Sequence, residues 1–139
     1  MNDQADLWAP MPHPTGFSAT FWDHADKGEL ALPKCEACDA LHYPPRRFCP
    51  ECGGDALTWT AMSGRATVVS HSTVLTSFHG QDWVGQLPYV VVLVDLDEGP
   101  RMLSRLVGSD TIARGDRVHV TFAEVQGRRL PYFTPEGAA

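Results

Sequence analysis

The stretch Cys35-Glu36-Ala37-Cys38, ten further residues, then Cys49-Pro50-Glu51-Cys52-Gly53-Gly54 holds all four cysteines of the chain. Two Cys-x-x-Cys pairs at this separation bring four thiolates onto one tetrahedral ion, and zinc is the usual occupant. Each pair needs a tight knuckle with a residue that accepts positive φ just past its second cysteine. Gly53 supplies that after Cys52, and Asp39 stands in the equivalent place after Cys38. Four protein ligands leave no open position, which marks a structural ion rather than a catalytic one. A four-sulfur cage also suits iron, so zinc is the expected metal and iron the less favoured one. The competing uses of the cysteines are two disulfides or a redox dithiol. Disulfides need an oxidising compartment. The first residues, Met1-Asn2-Asp3-Gln4-Ala5-Asp6, carry neither a basic segment nor an apolar one, so nothing points to secretion and the cytoplasm is the expected location.

Outward from the cage the chain divides into three expected parts: an arm and helix over 1–28, a zinc ribbon over 29–62 and a β-barrel over 63–139. The arm carries Pro10, Pro12 and Pro14 and reads as extended or disordered. Within it Trp8 reads as a surface aromatic, or as a pin that holds the arm to something. Residues 15–27 place Phe17, Phe21, Trp22 and Ala25 on one apolar helical face, ended by Gly28. That face covers either the rest of this chain or another subunit. Leu30 and Leu32 alternate into the first knuckle, and Trp59 is expected to cover the ribbon's small core. His42 lies within the cage sequence, but four thiolates leave it no ligand role.

Beyond Gly64 the texture changes. Residues 65–78 form a long β-branched run that must bend to serve two sheets. A glycine-rich loop over 77–88 holds Phe78, His79, Trp83 and Leu87. Residues 89–96 are almost wholly apolar, as in a doubly buried strand. Strands follow over 101–107, 117–125 and 130–133, with one helical turn expected over 109–113. Five strands with a helical turn between the third and fourth fit the OB-fold, a five-stranded Greek-key barrel.

The 139-residue chain carries a formal charge of -6. An acidic chain is a poor partner for nucleic acid, although single-stranded nucleic acid is the natural alternative ligand for an OB-fold with a zinc ribbon. No apolar run approaches a membrane span. No nucleophile–base pair stands out. The cysteines are committed to metal, and His71 or His79 with Asp82 is a weak acid–base candidate, so no catalytic residue is expected.

These features together resemble the family known as domain of unknown function 35 (DUF35), or acyl-CoA-associated OB-fold proteins, in which a rubredoxin-like zinc ribbon precedes an OB-fold. The resemblance rests on Phe21-Trp22, Gly28 with Leu30, the four cysteines with Pro44-Pro45-Arg46 between them, Trp59, Ser63-Gly64, Pro88-Tyr89, the run from Leu96 to Arg101, Leu106-Val107-Gly108, Gly115 and Phe133-Thr134-Pro135. Asp39 departs from the family's common glycine. The resemblance implies a mainly β protein that does no chemistry itself. It implies an accessory subunit of a thiolase-superfamily enzyme acting on acyl-CoA, in a hetero-oligomer, with steroid side-chain aldolases among the relatives. On this expectation Phe17, Phe21, Trp22, Phe78, Trp83 and Leu87 meet the partner. Arg101, Arg105, Arg128 and Arg129 are the candidate contacts for CoA at a shared site, because the guanidinium fork suits phosphate.

Overall fold

The computed structural model describes residues 7–77 and 80–137. Its elements in chain order are α1 (Ala19–Asp26), β1 (Ala31–Cys35), β2 (Leu57–Ala61), β3 (Arg65–Val74), a 3-10 helix over Gln81–Gln86, β4 (Tyr89–Leu96), β5 (Arg101–Leu106), β6 (Arg117–Val125) and β7 (Arg128–Pro135). β1 and β2 form an antiparallel ribbon running from Ala31↔Ala61 to Cys35↔Leu57. The remaining five strands close into a barrel in the order β3-β4-β5-β7-β6. The chain is mainly β, with one short helix, the cysteine ribbon and then the five-stranded barrel.

β3 serves two neighbours, as its length requires. Arg65 to Thr67 pair with β6, and the strand pairs with β4 along its whole length, with a register shift between Val68 and Ser70. Such a bulge adds the bend that barrel closure needs. On β4 the buried residues alternate as Val90, Val92, Val94 and Leu96. They meet Val68, Met102, Leu106, Val118 and Phe133 in the barrel core. Gly64 sits at the entry to β3 with φ 83, and a Cβ there would run into the Val120 side chain. Gly64→Ala should therefore cost on the order of 2 kcal/mol, from left-handed strain together with overpacking. An unchanged melting temperature in that variant would remove this account of the glycine.

The helix and the ribbon share the barrel's core. Phe21, Leu30 and Leu32 are buried in the same cluster as Val92 and Phe133. α1 is shorter than the sequence suggests, because Thr15 and Ser18 engage each other in a turn before it: Thr15 N–H donates to Ser18 Oγ at 2.8 Å. The arm departs further from expectation. From Leu7 onward it lies on the barrel, with Leu7 and Ala9 buried against Val107, Ala123, Val125 and Tyr132. Residues 109–113 are not helical. Ser109 Oγ accepts the Thr111 N–H and donates to the Thr111 carbonyl, a local ring that competes with helix formation.

Exposed ion pairs stitch the barrel's outside. Arg101 grips Asp95 at 2.7 Å and Arg117 grips Asp97 at 2.7 Å. Hydrogen bonds from these arginines hold both carboxyls below the usual carboxylate range. A carboxyl depressed in the folded state contributes stability above its unfolded pKa, near 4, and loses it as pH falls through the folded value. Melting temperature should hold from neutral pH to about pH 4 and decline below it, modestly because solvent screens exposed pairs. Asp97→Asn should flatten part of that decline; an identical acid slope in the variant would exclude a role for the pair.

Candidate metal centre and aromatic cleft

The two knuckles are built alike. Asp39 N–H donates to the Cys35 carbonyl and Gly53 N–H to the Cys49 carbonyl, each at 2.8 Å. Cys35 N–H reaches the Ala40 carbonyl and Cys49 N–H the Gly54 carbonyl. Asp39 and Gly53 take φ 63 and 77, the left-handed geometry that turns each knuckle back. The result gathers the four Sγ atoms within 4.8 Å of one another. None is in a disulfide. Cys35 Sγ lies 3.5 Å from Cys52 Sγ, and Cys38 Sγ 3.6 Å from Cys49 Sγ. A regular tetrahedron with metal–sulfur bonds of about 2.3 Å has edges of roughly 3.8 Å, so the donor set fits a structural zinc.

The surrounding backbone favours thiolates. The Cys52 N–H, and more weakly the Glu51 N–H, donate to the Cys49 sulfur and hold that thiol down to about 7 against the opposing effect of burial. At Cys38 the Ala40 N–H also lowers the thiol, but the neighbouring sulfurs, Cys49 foremost, together with burial push it up to about 12. A cation at the centre resolves this conflict, since metal binding replaces shared thiol protons with four thiolate bonds. Gly54 keeps the cradle open: a Cβ there would lie 3.4 Å from Cys52 Sγ. His42 is buried and its Nε2 accepts the Arg46 N–H at 3.2 Å, apart from the cysteine set.

The expected interface residues divide. Phe21 is 4% exposed and packs inside this chain's own core, so it has no surface to offer a partner. Phe17 lies on Trp59 with ring centroids 5.3 Å apart. Trp59 thus covers the helix as well as the ribbon. Phe78 and His79 lie outside the described residues. Trp22 and Trp83, sixty-one positions apart in sequence, converge on one open cleft of about 400 Å³. Its other walls include Tyr43, Tyr89, Met102, Leu103, Arg105 and Tyr132, with Ala9, Pro10 and Pro12 of the arm along one side. Trp83 stacks on Tyr89 at 5.2 Å and takes the edge of Trp8 at 5.2 Å. Leu87 is half-buried and is not among the residues that line the cleft. Trp8 is therefore a pin within this chain: its N–H donates to Gln86 Oε1 at 3.0 Å.

The four arginines also divide. Arg101 is paired with Asp95, and Arg128 with Asp26 at 3.0 Å. Arg129 is exposed, with its backbone N–H on Asp26. Arg105 is buried to 7% exposure between Tyr89 and Tyr132, whose ring centroids lie 5.1 and 6.0 Å from its Cζ. They are separate sites, and no cluster of the four forms.

The outer barrel face beside the cleft is apolar. Leu93 stands opposite Leu103 in the β4–β5 register, and Leu103 is 63% exposed. A second hollow of about 200 Å³ lies between these leucines, Val91 and Ser70 to Ser72 of β3. Sequence reasoning missed this surface, because Leu103 reads as one more alternating strand residue. No helix among the described residues is long and apolar enough to cross a membrane.

Comparison with known proteins agrees with this architecture. Residues 22–58 match the family model described as the ChsH2 rubredoxin-like zinc ribbon domain, and residues 59–123 the ChsH2 C-terminal OB-fold domain. A probable enoyl-CoA hydratase alpha subunit of Thermomonospora curvata is 32% identical over 91% of this chain and 40% of that protein, so the chain spans about two fifths of that relative's length. A DUF35 domain-containing scaffold protein of Methanothermobacter thermautotrophicus is 33% identical over 76% of this chain and 80% of that protein. A solved structure described as Ltp2-ChsH2(DUF35) aldolase superposes with a TM-score of 0.78 at 31% identity, covering 90% of this chain and 98% of the matched chain. With ribbon, barrel and cage in the same order and matched over most of their length, the chain belongs to the DUF35 family.

Proposed function

We propose that this chain is a non-catalytic accessory subunit of a thiolase-superfamily enzyme that makes or breaks carbon–carbon bonds in acyl-CoA, and that it holds one structural zinc. The observation that carries the reading is the near-complete match to the DUF35 chain of an aldolase complex. The division of the chain into an arm and helix, a ribbon and a barrel belongs to the same proposal. So does the location of the partner surface. It comprises Trp22 and Trp83 on the cleft and the exposed Leu103 beside them, because large apolar side chains grouped on one face are what interfaces use. Phe17, which packs on Trp59, and the half-buried Leu87 are assigned to the same interface. Of the arginines, Arg129 remains for CoA phosphate, since Arg101 and Arg128 are paired with acids and Arg105 stands as a lone cation in an aromatic cleft that suits a phosphate dianion poorly.

The test is co-expression with the thiolase-superfamily enzyme of the same genome. The expected result is a complex stable in size-exclusion chromatography, with acyl-CoA cleavage or condensation that needs both chains. A steroid side-chain acyl-CoA and a straight-chain one are compared as substrates. The isolated chain should turn over neither. A partner fully active alone that forms no complex would overturn the proposal, as would turnover by this chain alone.

A further inference from the structure

Arg105 is a cation withdrawn from water and, among the described residues, paired with no acid. Its Nη1 donates to Gln86 Oε1 at 2.9 Å, a neutral acceptor, and its Nε is buried with no hydrogen-bond partner. The groups that act on its charge are the two tyrosines, while burial itself pulls its pKa below the ordinary value. Asp110 shares a small neighbouring pocket with Arg105, but its carboxylate accepts from the Thr111 hydroxyl. A buried guanidinium with neutral neighbours alone is costly, because an internal ionic group is stable when an opposite charge and full hydrogen bonding accompany it. The same side chain lines the 400 Å³ cleft, whose other walls are tryptophan, tyrosine and aliphatic side chains together with Ser104, whose hydroxyl donates to the Pro131 carbonyl at 2.7 Å. That volume and a largely apolar, aromatic lining, with one charged group among a few polar ones, are the ordinary features of a small-molecule site.

We infer that the cleft binds, in this chain alone, a small amphipathic monoanion: an apolar body between Trp22, Trp83 and Leu103, and a single carboxylate on Arg105. A carboxylate matches one guanidinium in charge and planar geometry. A phosphate dianion would bring an excess charge into an aromatic cleft with one cation, and a neutral ligand would leave the guanidinium as it is. The site shares Trp22, Trp83 and Leu103 with the partner surface proposed above, so it is tested on the isolated chain, where no partner competes for them.

Decanoate, decanol and decyltrimethylammonium are titrated, each below its micelle concentration, into the metal-loaded chain. Tryptophan fluorescence and calorimetry are the readouts. Decanoate should bind saturably, with decanol at least tenfold weaker and the cation weaker still. Arg105→Met should weaken decanoate by tenfold or more and leave decanol unchanged, and Trp83→Phe should reduce the fluorescence response. No saturable decanoate binding, or decanol binding as tightly as decanoate, would overturn the inference. Because the three-ligand comparison is made on the unsubstituted chain, it decides the matter even where Arg105→Met fails to fold.

Discussion

Removal of the metal will unfold the cysteine ribbon while the barrel persists in weakened form. Binding free energies for structural zinc in small cysteine and histidine modules are about 10–16 kcal/mol near neutral pH, and that binding energy is folding energy. The cage end of the ribbon has little else: two five-residue strands carry the knuckles, whose Cys38 and Cys52 are exposed, and Leu30 and Leu32 tie the ribbon into the barrel core. Amide exchange should show β1 and β2 losing protection after chelation under reducing conditions. β4 and β5, whose buried residues lie inside the closed barrel, should stay protected. Cys49→Ser should reproduce the loss. The barrel should melt lower in either case, because Leu30 and Leu32 leave its core when the ribbon opens. Full protection of β1 in protein shown by elemental analysis to be metal-free would refute a structural ion. Colour separates the metals: ferric iron in four thiolates is red, and zinc is colourless.

Leu103→Asp should break association with the proposed partner enzyme and leave the isolated chain folded. Leu103 is 63% exposed, so its truncation removes little internal packing. A charge at the centre of an apolar interface is expected to cost on the order of 2 kcal/mol or more, about 30-fold in affinity. Trp83→Ala is a less clean probe. Its ring packs on Trp8 and Tyr89, so that variant should lose both melting temperature and binding. Melting curves and quantitative co-purification, run side by side on the two variants, separate the contributions. Undiminished association by folded Leu103→Asp would place the partner on another face.

Much of this molecule is legible in sequence because its determinants are local. The cage is set by ligand spacing and by the residues after Cys38 and Cys52, all within eighteen positions. The barrel strands follow from alternation, as in Val90, Val92 and Val94, and from turns such as Glu98-Gly99. The illegible parts depend on distant contacts. The arm looks free until Trp8 finds Gln86, seventy-eight positions away. The helix face looks unpartnered because the leucines and valines that share a core with Phe21 come from the ribbon and from barrel strands far along the chain. Arg105 reads like Arg101, two steps along the same outward strand face. Only the arrival of Gln86, Tyr89 and Tyr132 over it makes one buried and leaves the other in water.

The parallel contact between β5 and β7, centred on Leu106↔Phe133, also governs the order in which the fold can assemble. The β3–β4–β5 meander joins neighbours in sequence, but β5 cannot be covered until residues 128–135 have been synthesised. Until then its edge groups and the core side chains Met102 and Leu106 stand open, a hazard for strand-to-strand aggregation. Closure by distant strands is slow relative to local hairpins. The cysteine ligand set, complete once Cys52 has emerged, and the ribbon, complete once Ala61 has, can already be metal-bound during that interval and offer Leu30 and Leu32 as a template for the core. Metal supply during synthesis would then govern the yield of soluble protein as well as the stability of the finished one.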